Sequence, residues 1–191
     1  MKNIFNTSRL FSLLTLIVLS FAVFSCQRDD DAAEDDLPQE ELTNIILNIK
    51  DLSVADSPAV SYNYSIGAGS APVIKLTDGK SYQVETVFMN GSEDVTQEIK
   101  DAKNEHFLIF DFPKSTVNLI REDTDESTGE LGKVGLITRW DVVKVVGSSS
   151  PLVKITLIHE PATANEAQNG TAWGSVTGGE TDAEATFGLS N

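Results

Sequence analysis

Apolar and polar residues alternate with a period of two over most of the chain after residue 42. In the segment 60–66 (VSYNYSI), the apolar side chains occupy every second position, as they do in a half-buried strand. The segment 106–112 (HFLIFDF) is apolar at nearly every position, which is typical of a central strand. Strand-like segments recur along the chain, at 44–50, 60–66, 73–76, 81–89, 106–112, 116–121, 134–140, 152–159 and 182–189.

Turn signals separate these segments and one short helix interrupts them. Asp78-Gly79 and Asn90-Gly91 are hairpin turn signals. The segment 92–103 begins with Ser and has an apolar residue every three to four positions, which predicts an amphipathic helix. The polar, Gly-rich segment 161–180 is predicted to be an exposed loop. The sequence thus predicts a mainly β fold of about eight to ten strands, arranged as an antiparallel β-sandwich (Ig-like or similar) or as a barrel.

The first 41 residues differ from the rest. Residues 1–25 combine a basic start with an apolar run and are predicted to be a signal peptide. The segment 23–26 (VFSC) resembles the lipobox of bacterial lipoproteins, which implies cleavage before Cys26 and a lipid anchor on its thiol. Residues 26–41 are strongly acidic and are predicted to form an extended tether. Cys-Gln-Arg followed by acids also resembles the surface-export signal of Bacteroidota-type lipoproteins; a solvated spacer is the alternative. Residues 42–191 are predicted to be a single sandwich domain.

Composition excludes several functions. A net charge of −15 argues against nucleic acid, because its binders neutralise phosphates with Lys and Arg. The chain lacks a Gly-x-Ser-x-Gly motif and its single Cys is the predicted lipidation site, so we expect no enzymatic activity. The acidic segment 122–130 lacks the spacing of a calcium loop and is predicted to be a solvated hairpin tip.

Two histidines, each beside a glutamate, are the candidate metal ligands. Glu105-His106 begins one apolar segment and His159-Glu160 ends another. If the two strands are neighbours, four ligands for Zn, Cu or Fe could converge. The two imidazoles could instead ligate haem iron axially. The alternative is that each is a core histidine hydrogen-bonded to a backbone carbonyl or a nearby acid.

Trp173 lies in the Gly-rich segment 169–174 (NGTAWG). In an exposed loop its indole could stack on a sugar ring or anchor a partner protein, so Trp173 is a candidate ligand-binding residue. The alternative is an indole that folds back over the end of the sandwich. Trp140 follows apolar strand residues and is predicted to lie in the core.

Several segments resemble a group of small Bacteroidota-type surface lipoproteins. The resemblance is carried by residues 88–106 (FMNGSEDVTQEIKDAKNEH), 157–161 (LIHEP), 178–182 (GGETD) and 184–187 (EATF). These proteins are commonly labelled "type 1 periplasmic binding fold", which implies a two-lobed α/β protein. The strand pattern of this chain favours a β-sandwich instead.

The resemblance also implies a location at the outer-membrane surface, beside a TonB-dependent receptor. The predicted function is therefore non-enzymatic capture of a ligand, a metal ion or haem, as an accessory to such a receptor. The alternative is a structural or adhesive module that binds protein or glycan through its loops.

Overall fold

The computed structural model of the chain describes residues 42–145 and 153–191. The predicted signal peptide, the predicted lipidation site Cys26, the predicted acidic tether and the first residue of the segment 152–159 lie outside the described residues. Among the described residues, no helix has the length and apolar character needed to cross a membrane.

The described residues form fourteen strands, one α-helix and a single 3-10 turn at Asp125–Ser127. The helix, α1, spans Thr96–Asp101. The strands are β1 Asn44–Asp51, β2 Val60–Ser65, β3 Val73–Lys75, β4 Ser81–Asn90, β5 Glu93–Asp94, β6 His106–Asp111, β7 Thr116–Arg121, β8 Thr128–Gly129, β9 Gly132–Lys133, β10 Ile137–Lys144, β11 Val153–His159, β12 Thr163–Asn169, β13 Ala172–Thr177 and β14 Glu180–Ser190.

Two six-stranded sheets contain most of these strands. The first sheet has the order β2-β1-β4-β10-β7, with β5 paired to β4, and the second has the order β12-β13-β6-β11-β14-β3. Neighbouring strands are antiparallel, except that β3 runs parallel to β14. Strands β8 and β9 form a separate two-stranded ribbon. The predicted mainly β sandwich is confirmed.

Alternate side chains of both sheets fill the core between them. Trp140 of the first sheet is fully buried and packs edge-on against Phe110 and Phe112 of the β6 segment, with ring centroids 6.2 and 5.1 Å away. Its indole N–H donates a hydrogen bond to Thr138 Oγ1 at 3.0 Å, so the buried polar atom is paired. The prediction that Trp140 lies in the core is confirmed.

The helix is shorter than the segment 92–103 predicted from periodicity. Glu93 and Asp94 pair with the end of β4 as strand β5, because the Asn90-Gly91 turn folds the chain back into a hairpin. The Asp94 carboxylate then accepts a hydrogen bond from the backbone N–H of Thr96 at 2.9 Å, where the helix begins. The first residues of the predicted helix therefore belong to the hairpin instead.

The prediction that residues 161–180 form an exposed loop is wrong. They contain β12 and β13, which pair as a hairpin turning at Gly170, where φ is +66°. Strand β12 (TANEAQN) is an edge strand with mostly exposed side chains, so it lacks the apolar period from which strands are recognised. Polar residues on such an edge discourage pairing with other chains.

Candidate metal centre

His106 and His159 are direct neighbours across two paired strands. Strands β6 and β11 are antiparallel, and their register places His106 opposite His159. The two imidazole rings stack with centroids 5.0 Å apart and planes 19° from parallel. By strand alternation they share the core-facing side with Leu108 and Leu157, which are paired in the same register. The structure brings the two predicted histidines together at one end of the core.

A third ligand, Asp182, comes from β14. Leu157 pairs with Ala183 but Ile158 pairs with Thr181, so Asp182 is the extra residue of a β-bulge. A bulge changes the direction in which a side chain projects. Here the carboxylate reaches both histidines: Oδ2 lies 3.3 Å from His106 Nε2, and Oδ1 lies 3.6 Å from His159 Nδ1. Asp182 was not predicted, because neither its position in the alternating pattern nor its neighbours in the sequence signal the bulge.

The hydrogen bond of His106 determines which nitrogen is available to a ligand. Nδ1 lies 3.1 Å from the backbone carbonyl of Ala102, at the end of α1. A carbonyl can only accept, so Nδ1 carries the hydrogen and Nε2 of the neutral ring has a lone pair. That Nε2 is buried without a hydrogen-bond partner and faces the Asp182 carboxylate. With a neutral ring two acceptors oppose each other, and either a proton on Nε2 or a metal ion between the two groups would satisfy both.

The cluster extends from the core towards solvent. The side chain of His106 is 1% exposed and that of Asp182 is 7% exposed. His159 is 16% exposed and Glu105 is 41% exposed. The Glu105 carboxylate lies 3.7 Å from His159 Nε2, on the opposite side of the ring from Asp182. An ion could therefore enter past Glu105 and His159 to reach the buried Nε2 of His106.

The structure does not bring the fourth predicted ligand, Glu160, into the cluster. Glu160 directly follows β11 and has a left-handed backbone with φ of +46°. Its backbone N–H donates to the carbonyl of Glu105, while its side chain is exposed. The chain turns away from the sheet at this residue, so the Glu160 carboxylate leaves the face that carries the histidines.

One ligand atom each from His106, His159 and Asp182 lies within 4.8 Å of the other two. A metal–ligand bond of about 2.1 Å in tetrahedral geometry separates two ligands by about 3.4 Å. The 3.3 Å distance joins His106 Nε2 to Asp182 Oδ2 and the 3.6 Å distance joins His159 Nδ1 to Asp182 Oδ1, so binding of one ion by all three residues requires the side chains to move closer together. Two imidazoles and one carboxylate suit Zn²⁺ and related divalent transition metals, with a coordination position left open.

Haem fits this arrangement less well than a single ion. Two axial histidines lie on opposite faces of the macrocycle and direct their nitrogens at one iron. Here the two rings stack at 5.0 Å on adjacent hydrogen-bonded strands. A macrocycle cannot enter between strands at that spacing without breaking the sheet. Of the two predicted cofactors, the geometry therefore favours the metal ion.

Trp173, the predicted ligand-binding residue, is not in an exposed loop. It belongs to β13, opposite Phe110 of β6, and is partly buried against the core. Its indole N–H donates to the backbone carbonyl of Val117 at 2.9 Å, which joins the second sheet to β7 of the first. The structure thus agrees with the alternative in which the indole folds onto the sandwich.

Two buried charged residues, Arg121 and Asp123, lie outside the metal cluster and were also missed. Arg121 is 5% exposed and donates to the carbonyls of Leu108, Lys133 and Val134. Its guanidinium lies over the ring of Phe107, 4.2 Å from the centroid. Burial lowers the pKa of Arg121 to about 10, so the side chain stays charged at neutral pH. From β7 the side chain thus reaches β6, β9 and the residue after β9, which indicates a structural role.

Asp123 is the acidic one of these two residues. The prediction that residues 122–130 form a solvated tip is wrong for Asp123, which is 7% exposed. Its carboxylate accepts hydrogen bonds from the backbone N–H groups of Gly135 and Leu136 at 3.1 and 2.9 Å. Burial raises the pKa of Asp123 above its ordinary value. The burial of Asp123 was not predicted, because the sequence does not show which acidic residue of an acidic segment is buried.

The fold and the site together define a β-sandwich protein with a two-histidine, one-carboxylate cluster. No protein-family model matches the chain, and no match was found among curated proteins or solved structures. The resemblance to surface lipoproteins stays a prediction.

Proposed function

We propose that this protein is a non-enzymatic, surface-exposed outer-membrane lipoprotein that captures a divalent transition-metal ion. The ligands are His106 Nε2, His159 Nδ1 and the Asp182 carboxylate. The observation that carries the proposal is the buried Nε2 of His106, whose lone pair faces the carboxylate of Asp182. A metal ion between these atoms satisfies both acceptors at once.

Two further features favour ligation over a purely structural histidine. The Nδ1–H of His106 donates to a backbone carbonyl, which is the usual outer contact of a metal-bound imidazole, because it fixes the tautomer and the ring orientation. The three ligands come from three adjacent strands, and a β-bulge directs the third towards the other two. Core packing alone requires neither a bulge nor a carboxylate at this position.

The site suits reversible capture more than permanent storage. Three protein ligands leave an open position, where water or a ligand from another molecule could bind. The predicted lipid anchor at Cys26 and the acidic tether would hold the domain at the membrane surface. A neighbouring TonB-dependent receptor could supply the missing ligand and receive the ion. This partner follows from the family resemblance and belongs to the proposal.

Calorimetric titration with metal salts tests the proposal directly. The full chain, solubilised in detergent, is expected to bind one Zn²⁺ per molecule in a saturable manner. Ca²⁺ and Mg²⁺ are expected to bind far more weakly at this site, because both ions prefer all-oxygen ligand sets. Absence of saturable Zn²⁺, Ni²⁺ or Cu²⁺ binding would contradict the proposal and make the two histidines structural.

Replacement of Glu105 is expected to weaken metal binding without abolishing it. With Nδ1 of His159 on the metal, the hydrogen of this ring is on Nε2, which faces the Glu105 carboxylate at 3.7 Å. Such outer partners typically contribute about 10- to 100-fold in metal affinity. Because a Gln side chain still offers a neutral acceptor, we expect Glu105→Gln to lower the Zn²⁺ affinity about tenfold, measured by competition with a chromogenic chelator.

The matched control is Glu160→Gln, which removes the same charge beside the other histidine. Glu160 lies outside the cluster, so its replacement is expected to change the Zn²⁺ affinity by less than about twofold, since exposed charges interact weakly through water. Equal effects of the two substitutions would show that only net charge matters and that Glu105 does not position His159.

A further inference from the structure

A cavity of about 270 Å³ opens where the edge strands of the two sheets, β2 and β3, lie near each other. Residues of β1, β2, β3, β4 and their connecting loops line it. Its apolar walls include Ile49, Pro58, Val60 and the rings of Tyr62 and Tyr82. None of the residues of the metal cluster lines this cavity, so it is a separate feature of the fold.

The polar groups of the cavity are mainly hydrogen-bond donors. Tyr62 Oη accepts from the backbone N–H of Lys75 at 3.4 Å, and Tyr82 Oη accepts from the backbone N–H of Thr77 at 3.0 Å. Each phenol therefore keeps its own O–H as a donor. Within residues 42–145 and 153–191, no protein acceptor takes either hydrogen. A ligand that supplies oxygen acceptors would satisfy both hydroxyls.

The charges of the cavity leave one cation in excess. The Lys80 ammonium binds the Asp51 carboxylate at 2.7 Å, and hydrogen bonds from Lys80 and Ser53 hold the pKa of Asp51 at about 2. This pair is therefore neutral overall at physiological pH. Lys75 also lines the cavity, and it has no ion-pair partner in the described part of the chain. The lining therefore carries one net positive charge, on the exposed side chain of Lys75, in a chain of net charge −15.

We infer that this cavity binds an acidic monosaccharide, a single sugar ring that carries a carboxylate. The carboxylate would bind the Lys75 ammonium, the ring hydroxyls would accept from Tyr62 and Tyr82, and the apolar face of the sugar would lie on Val60 and the tyrosine rings. The volume is slightly below the usual range for drug-sized ligands, which limits the occupant to about one ring. A small inorganic anion would leave the apolar walls uncovered, and an aromatic acid would leave the phenol donors unpaired.

Ligand-observed NMR titration of the detergent-solubilised full chain tests the inference, with glucuronate as the probe. We expect saturable binding of glucuronate, and at least tenfold weaker binding of glucose, which has the same ring without the charge. Lys75→Gln is expected to weaken glucuronate binding about tenfold or more, because it removes a charge-assisted hydrogen bond. Tyr62→Phe keeps the ring but removes one donor, so a smaller loss of about three- to tenfold is expected.

Lys154→Gln is the matched control, because the Lys154 side chain is 45% exposed and pairs with Glu184 in the second sheet. It is expected to leave glucuronate binding unchanged, as is Asp182→Asn, which separates this cavity from the metal cluster. The inference is overturned if glucuronate shows no saturable binding, if glucose binds equally well, or if Lys75→Gln has no effect. Full displacement of glucuronate by an equal concentration of inorganic phosphate would also overturn it, since any anion would then suffice.

Discussion

The Asp182→Asn variant is expected to lose the rise in melting temperature that Zn²⁺ gives the wild-type chain. A ligand that binds only the folded state stabilises it by about 2.7 kcal/mol when its free concentration is about 100 times the Kd. The substitution keeps the size of the side chain but removes the anionic ligand that joins His106 and His159. The measurement is thermal unfolding of each variant with increasing Zn²⁺, followed by circular dichroism.

Without metal, the same variant is expected to be at least as stable as the wild type. Against a neutral His106 ring the Asp182 carboxylate opposes the lone pair of Nε2, whereas the amide N–H of an asparagine side chain can donate to that nitrogen. A site built to bind an ion often reduces stability in the absence of the ion. Higher or equal stability combined with a lost metal response would therefore separate a ligand role from a structural one.

Glu184→Gln provides the matched control for Asp182→Asn. Glu184 lies on the same strand, carries the same charge and pairs with Lys154 on the surface. Its replacement is expected to keep the full Zn²⁺ response, because it lies outside the cluster. If Asp182→Asn instead lowers stability without metal and Zn²⁺ still raises the melting temperature, the carboxylate is a structural partner of a protonated His106 and the metal proposal fails.

The Arg121→Met variant is expected to lose about 3–5 kcal/mol of folding free energy, because it removes several hydrogen bonds donated by a buried charged group, each worth about 1.5–3 kcal/mol. Methionine fills part of the volume but donates no hydrogen bonds. The carbonyls of Leu108, Lys133 and Val134 would each lose the guanidinium donor, and Asp123 would lose the cation that offsets its buried charge. Urea unfolding at pH 7 measures the difference.

Arg139→Met is the control for this prediction. The Arg139 side chain is 36% exposed and pairs with Glu122 and Asp141, so its loss is expected to cost less than about 1 kcal/mol. Equal losses of unfolding free energy in the two variants would mean that the burial of Arg121 does not increase its contribution to stability.

The cost of Arg121→Met is also expected to shrink as the pH falls from about 7 towards about 4. Burial raises the pKa of Asp123 above its ordinary value of 3.8, and the charge of Arg121 counteracts this rise. Without Arg121 the pKa of Asp123 in the folded state rises further. A folded-state pKa above the unfolded value means that protonation favours the folded state. Protonation of Asp123 at low pH therefore removes its buried negative charge and restores part of the folding free energy that the variant lost. A cost that stays constant over this pH range would contradict a role for Asp123.

The alternation of residues was enough to predict much of the fold. Segments such as 81–89 and 106–112 bury every second residue, or nearly every residue, because a strand directs successive side chains to opposite faces. This local rule predicted the β-sandwich, the strands that bear His106 and His159, and the buried Trp140. The rule failed for β12, whose backbone pairs with β13 while its side chains remain in solvent. Hydrogen bonding between backbones does not require apolar side chains, so the sequence of β12 shows no alternation.

The sequence by itself determined that both histidines stand at the ends of apolar strands, each beside a glutamate. Only the tertiary structure decided that β6 and β11 are neighbours in a register that places His106 opposite His159. It also decided that Asp182, rather than Glu160, completes the cluster, because a β-bulge in β14 directs Asp182 inward while the left-handed backbone at Glu160 turns that residue away. Strand order, register and bulges depend on contacts between residues distant in sequence, and local periodicity carries no information about them.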